Sequence, residues 1–487
     1  MFTVSMLAQW LAISVDDQAC QHTFQTIETD SRLVDNKTLF LALPGVSSDG
    51  WEYLDQVAER GANVALVPAN KGIVHPTLTL IEVDDIEAAV SVLVKHVYGP
   101  PPKHIVAVTG TNGKSSICFY VAQLGQAMGL KSAMIGTFGV GLLGQLQEAK
   151  QTTPDLLTLH KQLAAFAHQG VDLVAFEASS HALDQKRLAG VPVTTAIFSN
   201  LTRDHLDYHG SMQAYAEAKR KLLRFETLER AIICADSDYA EFMQQGCEAP
   251  LWQYSDRDLA VEFAVINKTF VQSGVELDVR VLGQPIHLFL PLLGDFNIQN
   301  ALAALAAIVH CKGISDDLVV ALESLAGAPG RMQPIVMPHA PLILVDYAHT
   351  SDALEVALQA VRAHTPGKLI CVFGCGGDRD TGKRPLMLEV AQRHADSVWL
   401  TSDNPRSEDP DAIIKDALVA RTQHSELAIE ADRRQAIKLA IAQAQPSDIV
   451  LIAGKGHETY QEVNGVRHHF DDTEEARAAL QAYVKKA

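Results

Sequence analysis

Residues 110–116, with the sequence GTNGKSS, have the composition of a loop that holds a phosphate group. They follow an apolar run at 105–109 and overlap the start of a helical pattern at 116–128. In such a strand–loop–helix arrangement, backbone N–H groups face the anion, a lysine reaches it and a serine hydroxyl can bind Mg²⁺. The standard pattern G-x-x-x-x-G-K-[ST] would require glycine at Val108, so this loop is a shorter form. A glycine turn with a surface lysine is the alternative interpretation.

Two further segments carry side chains suited to a metal–nucleotide site. Glu177 ends the apolar run 173–177, and a phosphate loop requires a metal-binding acid of this kind. The segment 200–209, NLTRDHLDYH, contains His205 and His209 at a spacing that zinc sites also use. No third and fourth ligand follows at zinc-like spacing, so a magnesium–nucleotide site is favoured over a structural zinc ion.

A third polar segment, TSDNPRSEDP at 401–410, places one cation, Arg406, after the apolar run 396–400. Asn-Pro and Asp-Pro pairs are typical of turns and of helix starts. Taken alone, this segment therefore favours a solvated turn.

Short apolar runs alternate with helical patterns through most of the chain after residue 104. This alternation is typical of βαβ units and mostly parallel sheets, so an α/β fold is expected. Ligands of such sheets bind at the carboxyl ends of strands, where the polar segments above begin. The apolar runs lie at 105–109, 173–177, 195–200, 343–346, 369–373 and 449–453, and the helical patterns at 116–128 and 353–363.

Two connectors rich in glycine and proline, at 98–104 and 326–332, divide the chain. At about 100–200 residues per domain, a chain of 487 residues suggests three domains. The predicted domains are 1–98, 99–328 and 329–487.

Composition and charge restrict the class of protein. With 47% hydrophobic and 20% charged residues, the chain is typical of a globular protein. Its formal net charge of −18 argues against a nucleic-acid binder, which would normally carry a basic face. No apolar run reaches about 18 residues and no cationic region precedes the first apolar stretch, so neither membrane insertion nor secretion is expected. Seven cysteines, an odd number without metal or redox spacing, favour a reducing cytoplasm.

Taken in order, these and other motifs resemble the Mur ligase family, whose members are ATP-dependent amide-forming enzymes of peptidoglycan synthesis. The resemblance runs through nearly all of the chain. It is carried by GTNGKS at 110–115, E-x-S-S-H at 177–181, NLTRDHLDYH at 200–209, G-x-F-N-x-x-N at 294–300, GR at 330–331 and DYAH at 346–349. Four more motifs resemble the members that add diaminopimelate as the third residue of the peptide: TDSR at 29–32, TTP at 152–154, DNPR at 403–406 and GKGHE at 454–458.

The resemblance implies three α/β domains: an N-terminal UDP-binding domain, a central P-loop ATPase-like domain with a mostly parallel sheet, and a C-terminal Rossmann-like domain. It implies that the glutamyl carboxylate of UDP-N-acetylmuramoyl-L-alanyl-D-glutamate attacks the γ-phosphate of ATP, with Mg²⁺ as cofactor, to give an acyl phosphate. The amine of meso-diaminopimelate then displaces phosphate. A cytoplasmic monomer with these small-molecule partners, without nucleic acid and without membrane insertion, is expected.

The resemblance also assigns roles to individual residues. Those implied to be catalytic are Lys114, Glu177, His205 and Lys219, of which Lys219 would be carboxylated by CO₂. Those implied to bind the metal are Ser115, Glu177 and His205. The implied ATP-binding residues are Gly110, Thr111, Asn112, Gly113, Lys114, Ser115, Ser116, Asn297, Asn300, Arg331 and Asp346. The implied UDP-sugar-peptide-binding residues are Ser31, Val46, Ser47, Ser48, Thr152, Thr153, Ser179, Gln185 and Arg187. The implied diaminopimelate-binding residues are Arg379, Asp403, Asn404, Pro405, Arg406, Gly454 and Glu458.

Some of these positions have simpler interpretations from the residues alone. Lys219 would be a helix-surface lysine, Asn297 or Asn300 a helix cap, and Arg331 with Asp346 an interdomain salt bridge. The implied ATP contacts come from the second and third predicted domains, so ATP is expected across the connector at 326–332.

Arg406 is the residue on which the choice of amino acid depends. Diaminopimelate differs from lysine by a carboxylate at the far end of its side chain, and an arginine can bind that carboxylate through two parallel hydrogen bonds. An L-lysine-adding enzyme is the nearest alternative, and folylpolyglutamate synthetase is a more distant one. A protein that uses ATP as a switch without amide synthesis represents a different class.

Overall fold

The computed structural model describes residues 1–45, 48–69, 71–422 and 425–485. The chain divides into two units, residues 1–253 with 303–313 and residues 254–302 with 314–487. Val46 and Ser47, which are predicted to bind the UDP-sugar, lie outside the described residues. No helix in the described part of the chain is both long and apolar enough to cross a membrane.

The first unit begins with a small parallel sheet and its helices. Its elements are β1 (Phe2–Thr3), α1 (Val4–Leu11), β2 (Thr23–Phe24), β3 (Thr26–Glu28), β4 (Thr38–Leu41), α2 (Leu54–Glu59), β5 (Val64–Pro68), β6 (Thr79–Val83) and α3 (Ile86–Tyr98). Strands β3, β4, β5 and β6 pair in parallel in that order. All of β4 is buried, as expected for a parallel strand covered on both faces.

A larger sheet follows in the first unit. Its elements are β7 (His104–Thr109), α4 (Lys114–Ala127), β8 (Ser132–Gly136), β9 (Gly139–Leu142), α5 (Leu156–His168), β10 (Leu173–Glu177), α6 (Ser180–Asp184), β11 (Thr195–Phe198), α7 (Leu206–His209), α8 (Met212–Arg220), β12 (Arg230–Cys234), α9 (Ala240–Gln244) and β13 (Leu251–Ser255). The strands β12-β11-β7-β10-β8-β9 are neighbours in that order, and only β9 among them is antiparallel, to β8. Strands β7, β10 and β11 end side by side, with Val108 opposite Glu177 and Thr109 opposite Phe198. This edge positions the polar segments that follow each strand.

The second unit contains three antiparallel strands that the apolar runs did not predict. Its first elements are β14 (Phe263–Val271), β15 (Gly274–Val281), β16 (Gln284–Leu290), the first residues of α10 (Asp295–Lys312), whose residues 303–312 belong to the first unit, and α11 (Asp317–Glu323). Strand β15 pairs antiparallel with both β14 and β16. Exposed or half-buried residues interrupt the buried ones along β15 and β16, as is typical of antiparallel strands with one face toward solvent.

A second parallel sheet forms the rest of the second unit. Its elements are β17 (Gln333–Ile335), β18 (Leu342–Asp346), α12 (Ser351–Arg362), β19 (Leu369–Cys375), α13 (Lys383–His394), β20 (Ser397–Ser402), α14 (Pro410–Ala417), β21 (Glu426–Ile429), α15 (Arg433–Gln443), β22 (Ile449–Ala453), β23 (Tyr460–Val463), β24 (Val466–His469) and α16 (Asp472–Val484). The order is β17-β18-β22-β19-β20-β21, and only β17 among them is antiparallel to its neighbour. Strands β23 and β24 form a separate hairpin.

Alternate residues of β19 belong to two different cores. Cys371 and Phe373 pack in one cluster of buried residues, and Ile370 and Val372 pack in another. A strand covered by apolar side chains on both faces is typical of a parallel sheet between helices. The predicted α/β fold with mostly parallel sheets is therefore confirmed, whereas the division at residues 98 and 328 stays a prediction.

Candidate active site

The predicted phosphate loop connects β7 to α4 and lies against the segment that follows β11. Gly110 and Gly113 have φ angles of 151° and 87°, which favour glycine. A Cβ atom at Gly110 would collide with Ser199 Oγ. The Thr111 N–H donates to the Asn200 carbonyl oxygen at 2.9 Å. The glycines therefore allow the loop to pack closely against the end of the neighbouring strand.

Two lysines donate to the same carbonyl group of this loop. Lys114 Nζ lies 3.0 Å from the Gly110 oxygen and 2.8 Å from the Thr111 oxygen. Lys219, from α8, is 1% exposed, and its Nζ lies 2.6 Å from the Gly110 oxygen. Burial, and then the positive charge of Lys114, lower the pKa of Lys219 well below its ordinary value. The alternative of a helix-surface lysine is therefore wrong for Lys219.

Glu177 presents a buried carboxylate at the end of β10, where it is 1% exposed. Its Oε1 accepts the Thr137 N–H at 2.6 Å, and no described residue hydrogen-bonds its Oε2. A Cβ atom at Gly136 would collide with Glu177 Oε1, so the neighbouring strand β8 needs glycine there. Burial raises the pKa of the Cys118 thiol, the charge of Glu177 raises it further, and Lys114 opposes both. Glu177 and the phosphate-loop lysine therefore act on the same small region.

Of the three predicted metal ligands, Ser115 lies in the first turn of α4 and Glu177 ends β10. His205 precedes α7 with a φ of 52°, and its half-exposed ring has Nε2 3.5 Å from Asp204 Oδ2. No three His, Cys, Asp or Glu side chains in the described ranges are arranged to hold a metal ion. His205 and His209 therefore do not belong to such a group. A hard oxygen from Glu177, completed by hydroxyl, phosphate or water oxygens, suits Mg²⁺ better than Zn²⁺.

Hydroxyl groups predicted to bind the UDP-sugar peptide lie beside Glu177. Thr153 Oγ1 donates to the Glu177 carbonyl oxygen at 2.7 Å and lies 3.1 Å from Ser179 Oγ. Ser179 caps α6 by accepting the Ala182 N–H at 3.2 Å. Thr152 Oγ1 lies 3.4 Å from Thr137 Oγ1. The threonine pair therefore contacts the end of β10 and the residue that follows β8.

Arg187 is the cation of this hydroxyl cluster. Its Nε donates to Gln185 Oε1 at 2.9 Å. Its Nη1 donates to Gln151 Oε1 at 2.9 Å and to the carbonyl oxygen of Thr153 at 3.1 Å. Gln185 Nε2 in turn donates to Tyr208 OH at 3.2 Å. These contacts hold the guanidinium in place with neutral partners, so its positive charge is available to an anionic ligand.

Ser31 and Ser48 are not hydrogen-bonded to this cluster in the described part of the chain. Ser31 Oγ donates to Gln56 Oε1 at 2.6 Å. Ser48 Oγ lies 2.9 Å from Tyr53 OH. Both serines thus have partners within the small N-terminal sheet and its helices.

Four predicted ATP contacts lie in the second unit. Asn297 and Asn300 lie in the first turns of α10. Asn297 Nδ2 donates to the Leu293 carbonyl oxygen at 2.8 Å, and Asn300 Nδ2 lies 3.4 Å from Asn297 Oδ1. Asp346 ends β18 and accepts the N–H groups of residues 332 and 348, each at 2.8 Å. Burial raises the pKa of Asp346, although the charge of Arg331 opposes this.

Arg331 does not form a close ion pair with Asp346 among the described contacts. Its guanidinium carbon lies 4.9 Å from the centre of the Tyr347 ring, a cation–π arrangement. The salt-bridge alternative for this pair is therefore wrong in its simple form.

A cavity of about 360 Å³ opens at the carboxyl ends of β18, β19, β20 and β22, and we name it the strand-end cavity. Six of the seven residues predicted to bind diaminopimelate line this cavity, and the seventh, Pro405, does not. The lining residues are Tyr347, His349, Thr350, Gly374, Gly376, Arg379, Lys383, Asp403, Asn404, Arg406, Gly454, Glu458 and Tyr460. Cations and carboxylates both face this space, so it can receive a ligand that carries both charges.

Arg406 is fixed to the wall of the strand-end cavity. Its N–H donates to the Glu462 oxygen at 2.9 Å and its own carbonyl accepts the Asn464 N–H at 2.6 Å. Its Nη1 donates to the Gly377 oxygen at 2.6 Å, and no described residue accepts from Nε or Nη2. The solvated-turn interpretation of 401–410 is therefore wrong, because the turn forms part of a cavity wall.

Several lining residues were not predicted from the sequence. His349 and Thr350 directly follow the DYA sequence at 346–348, and Lys383 begins α13. Lys383 Nζ donates to the His349 oxygen at 3.1 Å. For His349 and Thr350, the position shortly after the end of β18 was the available signal, since this is the edge of a parallel sheet where ligands bind.

Comparisons with known proteins agree in family along nearly the whole chain. Two family models match: the Mur ligase middle domain at residues 108–308, and the Mur ligase, glutamate ligase domain, at residues 330–456. A protein of Chromobacterium violaceum named UDP-N-acetylmuramoyl-L-alanyl-D-glutamate–2,6-diaminopimelate ligase is 42% identical over 476 residues, covering 94% of this chain and 95% of that protein. A protein of Ectopseudomonas mendocina with the same name is 42% identical over 460 residues, covering 93% and 94%. A solved structure described as the same kind of ligase has a TM-score of 0.80 and 37% identity, and 98% of each chain is covered.

Proposed function

The chain belongs to the Mur ligase family, and on that premise we propose that it joins meso-diaminopimelate to UDP-N-acetylmuramoyl-L-alanyl-D-glutamate in an ATP-dependent step of peptidoglycan precursor synthesis. The observation that carries the proposal is the strand-end cavity, in which Arg406 lies among both carboxylates and cations. Relatives that are 42% identical over most of the chain bear the name of this ligase.

The first step converts an unreactive carboxylate into an acyl phosphate. The glutamyl carboxylate of the UDP-linked dipeptide attacks the γ-phosphorus of ATP, a new P–O bond forms, and ADP leaves. Lys114 and the N–H groups of residues 110–116 neutralise the phosphate charge, because phosphoryl transfer depends mainly on positioning and electrostatic stabilisation. Ser115 and Glu177 would hold Mg²⁺, which when bound supplies further neutralisation of the transferred group.

Lys219 contributes in this proposal as a carbamate. Its lowered pKa favours the neutral amine, and the nitrogen of that neutral form attacks CO₂ to give N–COO⁻ with release of one proton. The product carries a negative charge where the ammonium would repel Lys114. It also supplies oxygen atoms of the type that Mg²⁺ prefers.

The second step forms the amide bond. A neutral amine of diaminopimelate attacks the acyl carbon, the C–O bond to phosphate breaks, and the amine proton is lost to solvent. The other end of diaminopimelate carries an ammonium and a carboxylate, which complement Asp403 and Glu458 on the one hand and Arg406 on the other. Binding that end orients the amine that reacts.

The acceptor is proposed to be diaminopimelate rather than L-lysine because of the cations in the strand-end cavity. Lysine has no carboxylate at the end of its side chain, so Arg406 would lose its partner when lysine binds. A site built for a charged hydrogen-bond partner discriminates strongly against an analogue that lacks it.

Further residues are proposed to bind the UDP-linked dipeptide and ATP. Arg187 with the hydroxyls of Thr152, Thr153 and Ser179 is proposed to bind the phosphorylated sugar peptide, together with Ser31 and Ser48. ATP is also proposed to contact Asn297, Asn300, Arg331 and Asp346. A cytoplasmic monomer is proposed, with no nucleic-acid partner.

The test is a complete reaction with purified protein, ATP, Mg²⁺, UDP-N-acetylmuramoyl-L-alanyl-D-glutamate and meso-diaminopimelate. We expect one phosphate released for each UDP-muramoyl tripeptide, identified by its mass, and no release when either organic substrate is omitted. Phosphate release without tripeptide would contradict the proposal and support the ATP-switch alternative. Turnover only with a folate and glutamate would contradict it in favour of a folylpolyglutamate synthetase.

A further inference from the structure

One buried cation, Lys455, lies behind the wall of the strand-end cavity. It follows β22 within the segment GKGHE at 454–458, and it is 0% exposed. It is not among the residues that line the cavity. A ligand in the cavity would therefore meet its neighbours and not Lys455 itself.

Every polar contact described for Lys455 leads to the cavity wall. Its Nζ donates to Asn404 Oδ1 at 3.1 Å and lies 3.4 Å from Glu458 Oε2. It lies 3.9 Å from Asp403 Oδ1 and 5.5 Å from the centre of the Tyr460 ring. All four of these partners line the cavity.

These contacts fix which way the Asn404 amide points. Its Oδ1 accepts from Lys455 Nζ and from the Glu462 N–H, the latter at 2.9 Å. Its Nδ2 donates to Glu458 Oε2 at 3.0 Å. A rotated amide would place its NH₂ group against two donors, so Lys455 and Glu462 together hold one orientation.

Glu458 is held in the same way. Its Oε2 takes both the Asn404 amide and the Lys455 ammonium, whereas no described residue hydrogen-bonds its Oε1. Without Lys455, the carboxylates of Asp403 and Glu458 would lose a shared cation. The neighbouring buried cation, Arg433, is already paired with Asp472 at 2.7 Å.

We propose that Lys455 is a positioning residue for binding of the acceptor amino acid, because it holds Asn404 and Glu458 in the orientation that binds the acceptor's ammonium group. The inference rests on the proposed function for the identity of the acceptor. The atoms that would touch the ammonium belong to Asp403, Asn404 and Glu458, and Lys455 acts through them.

The test is the Lys455→Met variant, which removes the charge and keeps most of the buried alkyl volume. We expect the KM for diaminopimelate to rise by roughly tenfold to a hundredfold, as for loss of a hydrogen bond to a charged group. The KM for ATP and for the UDP-linked dipeptide should stay within about twofold, because the contacts described for Lys455 lead to the strand-end cavity. An unchanged KM for diaminopimelate would overturn the inference.

A matched control separates positioning from general stability. Asp448 is a buried carboxylate at the opposite end of β22, where it accepts the N–H groups of Lys368 and Gln445 at 2.8 and 2.7 Å. Asp448→Asn should lower the melting temperature and leave the KM for diaminopimelate unchanged. Equal rises in KM in both variants would overturn the inference, because general loosening would then explain them.

A double-mutant cycle tests the route through Glu458. In a Glu458→Gln background, Lys455→Met should change the logarithm of the KM for diaminopimelate by less than half as much as it does in the wild-type background, because contacting residues do not act additively. Full additivity would overturn the inference. If Lys455→Met does not melt cooperatively, Lys455→Gln replaces it, and failure of both to fold would assign Lys455 a purely structural role.

Wild-type kinetics distinguish the two failures. If wild-type protein does not use diaminopimelate, the proposed function fails before any variant is made. If wild-type protein uses it and Lys455→Met retains the wild-type KM, only the inference about Lys455 fails.

Discussion

Arg406 has a φ of 52°, in the left-handed region that few residues other than glycine adopt. The surrounding structure enforces this conformation, since both the N–H and the carbonyl of Arg406 are hydrogen-bonded to the β23–β24 hairpin. Its side chain has a further tie through Nη1 to the Gly377 oxygen. Strained residues held in this way are typical of ligand-binding positions. An arginine so fixed loses little further freedom when it binds a carboxylate.

Replacing this arginine tests the account at the scale of one side chain. In Arg406→Ala we expect the KM for diaminopimelate to rise roughly tenfold to a hundredfold, because one charged hydrogen-bonding group is lost. The kcat at saturating acceptor should fall much less. Arg406→Lys is the matched control: it keeps the charge without the planar fork and should give an intermediate KM. Steady-state kinetics with an unchanged KM in Arg406→Ala would contradict the role given to this residue.

Lys219 leads to a prediction about pH. Because burial and Lys114 lower its pKa, its amine becomes neutral at a lower pH than that of an exposed lysine. Only the neutral amine reacts with CO₂, so the carbamate fraction of Lys219 should begin to rise at a lower pH than the carbamate fraction of surface lysines. With ¹³C-bicarbonate, NMR should show one carbamate signal that Lys219→Arg removes. Lys221→Ala, which changes an exposed neighbour paired with Asp184, should retain it.

A persistent carbamate signal in Lys219→Arg would place the modification elsewhere.

The lowered pKa of Lys219 also affects the stability of the unmodified protein. Between the folded and unfolded pKa values of Lys219, the unfolded chain binds more protons, so the free energy of unfolding rises with pH across that window.

At the scale of an element, the phosphate loop depends on glycine at its first position. Gly110→Ala would add a methyl group against Ser199 Oγ and would force a φ of 151° on a residue with a side chain. Overpacking of this kind costs about 1–3 kcal/mol, and it would displace the loop that binds ATP. We expect phosphate release to fall by roughly fivefold to a hundredfold at a fixed ATP concentration, since about 1.4 kcal/mol corresponds to tenfold.

Gly129→Ala is the control for this prediction. Gly129 follows α4 with a φ of 78°, and no atom lies within 4 Å of its hypothetical Cβ. It should therefore lose about 1 kcal/mol of stability from backbone strain and keep its activity. Equal activity in Gly110→Ala and wild type would contradict the close packing of the loop.

The elements also explain how far the sequence could predict this protein. Buried parallel strands such as β7, β10, β19 and β22 are continuous apolar runs. The polar segments after β7 and β10 were predicted as sites from their residues, whereas those after β19 and β22 were predicted only through the family resemblance. The strands β14, β15 and β16 were missed because residues 263–290 contain charged and polar residues on an exposed face.

Lys455 was missed for a different reason. Within its own segment it is one lysine between two glycines, and nothing local distinguishes it from a surface residue. Its partners Asp403 and Asn404 follow β20, whereas Lys455 follows β22. Only the parallel sheet brings the two segments together, so their contact is a property of the fold.

At the scale of the whole molecule, a net charge of −18 is combined with proposed substrates that all carry anionic groups: phosphates in ATP and the UDP-linked dipeptide, and carboxylates in the zwitterionic diaminopimelate. Cations are therefore expected where binding occurs: Lys114 at the phosphate loop, Arg187 in the hydroxyl cluster, and Arg379, Lys383 and Arg406 in the strand-end cavity. The phosphate loop belongs to one unit and the strand-end cavity to the other. In the proposed reaction, ATP binds at the phosphate loop and the acceptor binds in the strand-end cavity.

The most direct test of the central claim is the specificity of the wild-type protein for its amino-acid acceptor. With saturating ATP, Mg²⁺ and UDP-N-acetylmuramoyl-L-alanyl-D-glutamate, kcat/KM is measured for meso-diaminopimelate and for L-lysine. We expect a ratio on the order of 10³ or more in favour of diaminopimelate, because lysine leaves Arg406 without a carboxylate partner. A kcat/KM for L-lysine within about tenfold of that for diaminopimelate would contradict it.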